Sequence, residues 1–224
     1  MRIDRLGDLG AAPEVLRAVG DATARLGLPP PAALTGDWFG ALAVIAPSVS
    51  VQPVDPDAAF AVQLSSQTVD AQAVGGGWIG YLSYPDPGAE GGPNRIPEAA
   101  GGWTDCVLRR DRDGQWWYES LSGAPMPDWL AAALATPPPE RDCRIDWGPA
   151  DRAAHRDGVL NCLEAIRAGE VYQACVCTHF TGTVTGAPLD FFADGIARTS
   201  PARAAYLAGA WGAVASLSPE LFLR

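Results

Sequence analysis

The sequence predicts an α+β fold, because signals for antiparallel strands and for amphipathic helices both recur along its 224 residues. The strand signal is clearest around Asp113-Gly114, a dipeptide typical of two-residue hairpin turns. The helix signal is clearest between Asp151 and Gly169, where apolar residues recur at helical spacing. With 48% hydrophobic residues, a chain of this length can bury a sizeable core, so disorder is not the expected state.

The first half of the chain predicts one helix followed by mainly antiparallel sheet. The helix is predicted at 13–26, where apolar residues repeat every three or four positions and Gly27 follows the last turn. Short aromatic and β-branched runs bounded by glycine and proline are typical of strands. The strands predicted in this half are 38–46, 78–84, 107–110 and 115–121.

The second half predicts alternating helices and strands after a proline-rich surface connection. Residues 135–141 contain three consecutive prolines, which remove hydrogen-bond donors and hold an extended backbone. Asp151 is the predicted N-cap of a helix that ends before Gly169. The apolar stripe of that helix consists of Val159, Leu160, Leu163 and Ile166. The remaining predicted elements are a strand at 171–180, a helix at 188–198, and strands at 204–207 and 212–217.

The composition argues against several classes of partner and chemistry. The net charge of −10 repels phosphate backbones, so nucleic acid is not an expected partner. No run of about 20 apolar residues and no secretory signal is present, which predicts a cytoplasmic protein without a membrane span. The five cysteines are odd in number and are expected as reduced thiols. All 16 basic residues are arginine, so the chain offers no lysine nucleophile.

Two segments superficially suggest cofactor sites. Strand alternation at 171–180 would place four polar side chains on one face: Gln173, Cys175, Cys177 and His179. Because no second ligand pair accompanies them, small buried thiols on a sheet are the favoured interpretation, and no metal site is expected. Residues 75–80 satisfy the dinucleotide fingerprint G-x-G-x-x-G, but the following residues predict a strand instead of the required helix. We therefore expect these glycines to permit close backbone packing.

Two other segments resemble motifs of the chorismate-utilising enzymes. Residues 168–173 are Ala-Gly-Glu-Val-Tyr-Gln, which is similar to that family's A-G-D/E-I/V-Y/F-Q run between a helix and a core strand. Residues 218–223 are Ser-Pro-Glu-Leu-Phe-Leu, which is similar to its S-P-E-x-F-L motif. Segments 36–40 and 75–81 are less specific counterparts of the family's amino-terminal region. The resemblance spans most of the chain and about the first half of a family member.

The resemblance implies a fold and a division of the chain. The family fold is a two-sheet antiparallel β-sandwich flanked by helices, and this chain would form an incomplete version of it. Residues 1–134 would form the amino-terminal sheet-rich region, residues 135–150 a proline-rich connection, and residues 151–224 the start of the chorismate-binding catalytic region. Some family members bind tryptophan in the amino-terminal region; Thr35 and the 200–202 loop are only loose counterparts of that site, and no regulatory site is claimed.

The resemblance also implies an activity, most closely that of the aminodeoxychorismate synthase component I branch. That branch aminates chorismate to 4-amino-4-deoxychorismate on the route to p-aminobenzoate and folate. Its S-P-E glutamate protonates the hydroxyl leaving group, so Glu220 corresponds to the general acid, and apolar neighbours favour the protonated form. The complete enzyme would need Mg²⁺, with ligands outside this chain, and ammonia from a glutamine amidotransferase subunit.

Three alternatives stay open. Cys175 stands where the aminodeoxychorismate branch commonly has asparagine, so anthranilate synthase component I or an isochorismate-type enzyme are two alternatives. The family's lysine nucleophile and magnesium-binding glutamates follow S-P-E, whereas this sequence ends at Arg224, so we expect no activity from the chain alone. The third alternative is a non-catalytic module that docks an amidotransferase or a complementary carboxy-terminal half, because a half-sandwich would expose apolar surface.

Overall fold

The computed structural model describes residues 1–59, 73–83, 96–138, 141 and 143–218, and it contains two compact units. The larger unit is Met1–Arg141 with Pro188–Arg224, and the smaller is Asp142–Ala187. The strands are β1 Arg2–Gly7, β2 Ala32–Trp38, β3 Ala41–Ala46, β4 Gln52–Pro53, β5 Gly77–Leu82, β6 Ala99–Thr104, β7 Cys106–Arg110, β8 Trp116–Ser120, β9 Arg144–Trp147, β10 Gly182–Thr185, β11 Arg203–Gly209 and β12 Gly212–Ser216. The helices are α1 Ala12–Leu26, α2 Asp128–Leu134, α3 Arg152–Ala168 and α4 Pro188–Thr199.

The larger unit is built on a seven-stranded sheet of order β1-β8-β7-β3-β2-β11-β12, in which every neighbouring pair is antiparallel. Helices α1, α2 and α4 cover one face, where Leu16, Leu130 and Phe192 pack against sheet residues such as Tyr206. A three-stranded sheet of order β4-β6-β5 packs on the other face, which carries Leu207. The predicted fold class, α+β with two antiparallel sheets flanked by helices, is confirmed.

Alternation along β11 explains why this sheet is buried on both faces. Tyr206 belongs to the cluster under the helices, and the adjacent Leu207 belongs to the cluster under the three-stranded sheet. Successive side chains of a strand point to opposite faces, so a nearly continuous apolar run serves both cores. The sheet is therefore the middle layer of the larger unit.

Helices α1 and α4 are held together by the packing of a leucine against a glycine and by a group of ion pairs. A Cβ on Gly20 would lie 2.7 Å from Leu189 Cδ1, so the leucine fills the space that glycine leaves. Beside this contact, Arg17 Nη2 lies 2.5 Å from Asp194 Oδ1, and its Nε lies 3.4 Å from Asp190 Oδ1. Close approach of the two backbones is thus fixed both by side-chain size and by charge.

The helices predicted at 13–26, between the caps Asp151 and Gly169, and at 188–198 are confirmed as α1, α3 and α4. Their ends follow local chemistry. Asp151 accepts a hydrogen bond from the Ala154 amide at 2.9 Å, as an N-cap does. Gly27, which follows α1, has a φ of 65°, in the left-handed region where glycine carries no Cβ penalty. None of the helices in the described ranges is both long and apolar enough to span a bilayer.

Three strand predictions differ from the structure. The strand predicted at 38–46 is instead a hairpin of β2 and β3, whose turn holds Phe39 and Gly40 at φ 52° and 76°. The predicted hairpin at Asp113-Gly114 does form between β7 and β8, but with a longer loop. The Asp111 carboxylate accepts from the Asp113 and Gln115 amides at 3.0 and 2.8 Å, which stabilises that loop.

The third difference is the strand predicted at 171–180, which is irregular backbone in the structure. In the smaller unit, β9 pairs instead with Gly182–Thr185, with Val184 opposite Ile145. A β-rich segment becomes a strand only where a neighbouring strand accepts its hydrogen bonds. Within the part of the chain that the structure describes, segment 171–180 has no such neighbour.

Gly36 occupies a position in β2 that we expect to tolerate no side chain. Its φ is 91°, and an added Cβ would overlap the carbonyl oxygen of Ala202, which also accepts the Asp37 amide at 2.8 Å. Gly36→Ala is expected to lower the free energy of unfolding by about 3 kcal/mol, through left-handed strain and a backbone clash. Gly40→Ala is the matched control, since Gly40 has φ 76° but open space around its Cβ position.

The Gly40→Ala control should cost only the conformational strain, about 1 kcal/mol. Urea unfolding of both variants, followed by tryptophan fluorescence, measures the difference. Equal losses at the two positions would show that the clash with Ala202 adds nothing to the destabilisation by Gly36→Ala.

Candidate functional site

The segment that leads into the S-P-E motif is fixed by β12 and α4. In the β11–β12 hairpin, Ser216 lies opposite Ala205, so the sheet register sets where the chain leaves the strand. Leu217 then packs against α4, where a Cβ on Gly195 would lie 3.0 Å from the leucine Cδ1. Glu220 itself lies outside the described residues, so its role as general acid stays a prediction.

The A-G-E-V-Y-Q run begins at the end of α3 in the smaller unit. Gly169 has a φ of 76°, its amide donates to Ile166 O at 3.1 Å, and the Glu170 amide donates to Ala165 O at 3.0 Å. These two bonds form a Schellman motif, which satisfies the last carbonyls of a helix and favours glycine at the left-handed position. The helix C-terminus therefore explains why glycine stands at position 169 of this run. Tyr172, further along the run, is 87% exposed.

The cysteine segment differs from its prediction. Cys175 and Cys177 are exposed in irregular backbone, whereas small buried thiols on a sheet were expected. Gln173 and His179 are exposed as well. The prediction was wrong because burial on a sheet requires a covering layer, and the described residues supply no strand pairing for this segment.

The resemblance implies Mg²⁺ for the complete enzyme, an ion that needs several ligands grouped together. Among the described residues, no three His, Cys, Asp or Glu side chains are grouped so that they could hold a metal ion. Mg²⁺ prefers several oxygen ligands in near-octahedral geometry. The residues that the structure describes therefore do not fit the ion.

The glycine-rich segment 75–80 leads into a strand, as predicted, because β5 starts at Gly77. The first two backbone amides of this segment are engaged inside the protein. The Gly75 N–H donates to the Glu119 carboxylate at 2.8 Å, and the Gly76 N–H donates to Val74 O at 3.0 Å. The Val74 N–H, just before the segment, also donates to the Glu119 carboxylate, at 2.7 Å. The Trp78 ring lies where a Cβ on Gly80 would stand. Close packing is thus the structural use of these glycines, and two of the amides that a phosphate would need are already bonded.

The carboxylate that holds this segment belongs to a buried ion pair. Glu119 is fully buried and its Oε1 lies 2.5 Å from Nε of Arg109, which is 7% exposed. The Arg109 guanidinium also lies 5.6 Å from the centroid of the Trp117 ring. Sequence reasoning missed this pair, although alternation from Val107 already places Arg109 on an inward face.

Thr35 and the 200–202 loop, which matched the family only loosely, are brought together by the pairing of β2 with β11. Ala204 lies opposite Thr35 in the ladder, and the Ala202 carbonyl accepts the Asp37 amide at 2.8 Å. The Thr35 hydroxyl is buried and has no hydrogen-bond partner among the described residues. The structure thus joins the two segments without assigning them a ligand.

Two tyrosines with shifted pKa values belong to the core. Burial raises the pKa of Tyr206 to about 12, with a further contribution from the charge of Asp190. Burial is also the main cause that raises the pKa of Tyr118 to about 12. Both phenols therefore stay protonated at neutral pH and serve as neutral core groups instead of proton carriers.

Comparison with known proteins agrees with the two motifs. A family model described as chorismate binding enzyme matches residues 45–224, which is well over half of the chain. The match begins inside β3 and includes both residues 168–173 and residues 218–223. No individual curated protein gave a significant match. The chain therefore belongs to the chorismate-binding enzyme family.

Proposed function

We propose that this chain is part of an enzyme that aminates chorismate to 4-amino-4-deoxychorismate, in the manner of aminodeoxychorismate synthase component I. The observation that carries the proposal is the family match over residues 45–224. The A-G-E-V-Y-Q and S-P-E segments, which resemble that branch, support it further. The product would feed the synthesis of p-aminobenzoate and folate.

The proposed chemistry replaces a ring hydroxyl of chorismate by nitrogen. The nitrogen lone pair forms the new C–N bond while the C–O bond breaks, and hydroxide is a poor leaving group unless it is protonated. Glu220 is the proposed general acid, so that the oxygen departs as water. The amine nucleophile must come from outside these side chains, because the sequence contains no lysine.

We expect the purified chain, given chorismate, Mg²⁺ and ammonium, to form no product on its own. Adding a complementary carboxy-terminal half from a chorismate-aminating enzyme should restore formation of 4-amino-4-deoxychorismate, which mass spectrometry of the reaction mixture identifies. The complementary half alone is the control. An amidotransferase subunit with glutamine should then replace ammonium as the nitrogen source.

Each outcome of this assay separates the alternatives. Anthranilate as product would favour an anthranilate synthase component I, and isochorismate would favour an isochorismate-type enzyme. Rapid turnover by the chain alone would contradict its proposed dependence on a second half. No turnover under any combination would remove the catalytic proposal altogether.

A second candidate function is a non-catalytic module that docks an amidotransferase or the complementary half. The observation that favours it is helix α3, which has no buried residue. Its apolar stripe is exposed: Leu160, Leu163 and Ile166 are 46%, 41% and 37% accessible. Apolar stripes of this kind mark interaction surfaces. An amidotransferase that binds the chain without any restored turnover would favour this function.

A further inference from the structure

A surface pocket lies between α1 and the end of α2 in the larger unit, away from both family motifs in the sequence. Its volume is about 250 Å³. Asp21 and Arg25 border it from the carboxyl-terminal half of α1. Thr136 borders it from the turn after α2. Nothing in the proposed amination of chorismate uses this pocket.

The charged groups at the pocket carry an excess of guanidinium over carboxylate. The lining residues Asp21 and Arg25 have opposite charges, and Arg141, which is not itself a lining residue, adds a second guanidinium by bonding Asp21. Asp21 is 8% exposed, and its two oxygens accept from two different arginines, Oδ2 from Arg25 and Oδ1 from Arg141. Both carboxylate oxygens are therefore engaged, and one positive charge remains uncompensated within this trio. The side chains of Arg25 and Arg141 are 62% and 43% exposed, so guanidinium N–H groups remain available to an incoming anion.

Apart from Asp21, Arg25 and Thr136, the lining of the pocket is apolar. It consists of Ala18 of α1, Ala133 of α2, and Pro137 and Pro138. The prolines hold a rigid wall, because their backbone torsion φ is fixed. The Thr136 hydroxyl donates to Ala132 O at 2.9 Å, which leaves its oxygen as an acceptor at the rim.

From this combination we propose that the pocket binds a small monocarboxylate with an apolar ring, its carboxylate against Arg25 and Arg141 and its ring against the alanine and proline wall. A planar carboxylate matches the guanidinium fork, and the alanine and proline side chains offer apolar contacts to a ring. Small-molecule sites typically combine such an apolar wall with a few placed polar groups. The proposal does not depend on the chemistry proposed for Glu220.

Benzoate is the probe, added to the isotope-labelled full chain while amide chemical shifts are recorded. Saturable shifts are expected at Ala18, Asp21 and Ala133, with a dissociation constant on the order of 1 mM for so small a ligand. Benzamide, which has the same ring and no charge, should bind at least tenfold more weakly. Inorganic phosphate, which has charge and no ring, should do the same.

The variants Arg25→Gln and Arg141→Gln are each expected to weaken benzoate binding about tenfold. Arg2→Gln is the matched control, because Arg2 is exposed and belongs to a separate ion pair with Asp4. Absence of saturable shifts, equal binding of benzamide, or equal binding of phosphate would each overturn the proposal. An equal loss of affinity in Arg2→Gln would show that the change in net charge, and not the loss of a contact in the pocket, weakens benzoate binding, and it would also overturn the proposal.

Discussion

Replacing Glu119 by alanine is expected to lower the free energy of unfolding of the larger unit by about 3–5 kcal/mol. The side chain is fully buried, and its carboxylate satisfies three groups at once: the Arg109 guanidinium and the amides of Val74 and Gly75. Alanine would leave a buried cation and two backbone donors without their partner. Such orphaned groups carry their full desolvation cost.

Urea unfolding followed by tryptophan fluorescence measures this loss, and three further variants locate its cause. Glu119→Gln keeps an oxygen for the two amides and removes only the charge, so it should cost less than alanine. The double variant Arg109→Met/Glu119→Leu removes both charges and should also cost less than Glu119→Ala. Asp4→Ala breaks the exposed pair with Arg2 and should cost less than about 1 kcal/mol. A Glu119→Ala loss no larger than that of Asp4→Ala would show that the buried contacts of Glu119 do not stabilise the larger unit.

The second large effect is expected at Glu220, in the chain assembled with a complementary carboxy-terminal half. Glu220→Gln should lower kcat for chorismate amination by about 10²–10⁴-fold, because glutamine has the same shape and cannot donate the proton that the leaving oxygen needs. Chorismate affinity should change little, since only proton transfer is removed. Stopped-time assays of 4-amino-4-deoxychorismate give kcat, and equilibrium dialysis gives the affinity.

Glu98→Gln supplies the matched control for this loss. Glu98 is an exposed glutamate of the larger unit, and the same change of charge there should leave kcat within about twofold of the parent, as surface substitutions usually do. If Glu220→Gln retained full kcat, another group would have to protonate the leaving oxygen. A parallel fall in both variants would trace the effect to net charge.

Helices α1, α3 and α4 could be predicted from sequence because their signals are local, whereas the seven-residue α2 was not predicted. Asp151 and Gly169 bracket α3 with an N-cap and a left-handed glycine, and each acts within one turn of its own position. Strands depend on partners far along the chain. Segment 171–180 has strand-forming composition, yet β9 pairs with β10 instead. No local sequence pattern predicts which of the two segments pairs with β9.

The same distinction applies to the candidate site. Glu220 was singled out only through its resemblance to a family motif, since an isolated glutamate is most often a surface group. The Glu119–Arg109 pair escaped prediction for the same reason, because charged residues are expected on the surface unless a partner is known. The two residues lie on the two strands of the β7–β8 hairpin. The glycine-rich segment that Glu119 bonds comes from a third part of the chain. Only the assembled sheet shows why the charge is buried.

The position of β11 between β2 and β12 has a consequence for how the protein is made. During synthesis, β2 and helix α1 leave the ribosome early, yet their partners β11 and α4 follow only after the whole smaller unit has been translated. Until then, the edge of β2 that pairs with β11 and the side of α1 that contacts α4 remain exposed in the nascent chain. Unpaired strand edges and exposed apolar surface promote aggregation. We therefore expect chains released before residue 203 to require chaperones, and the late β11 to complete the sheet in one cooperative step.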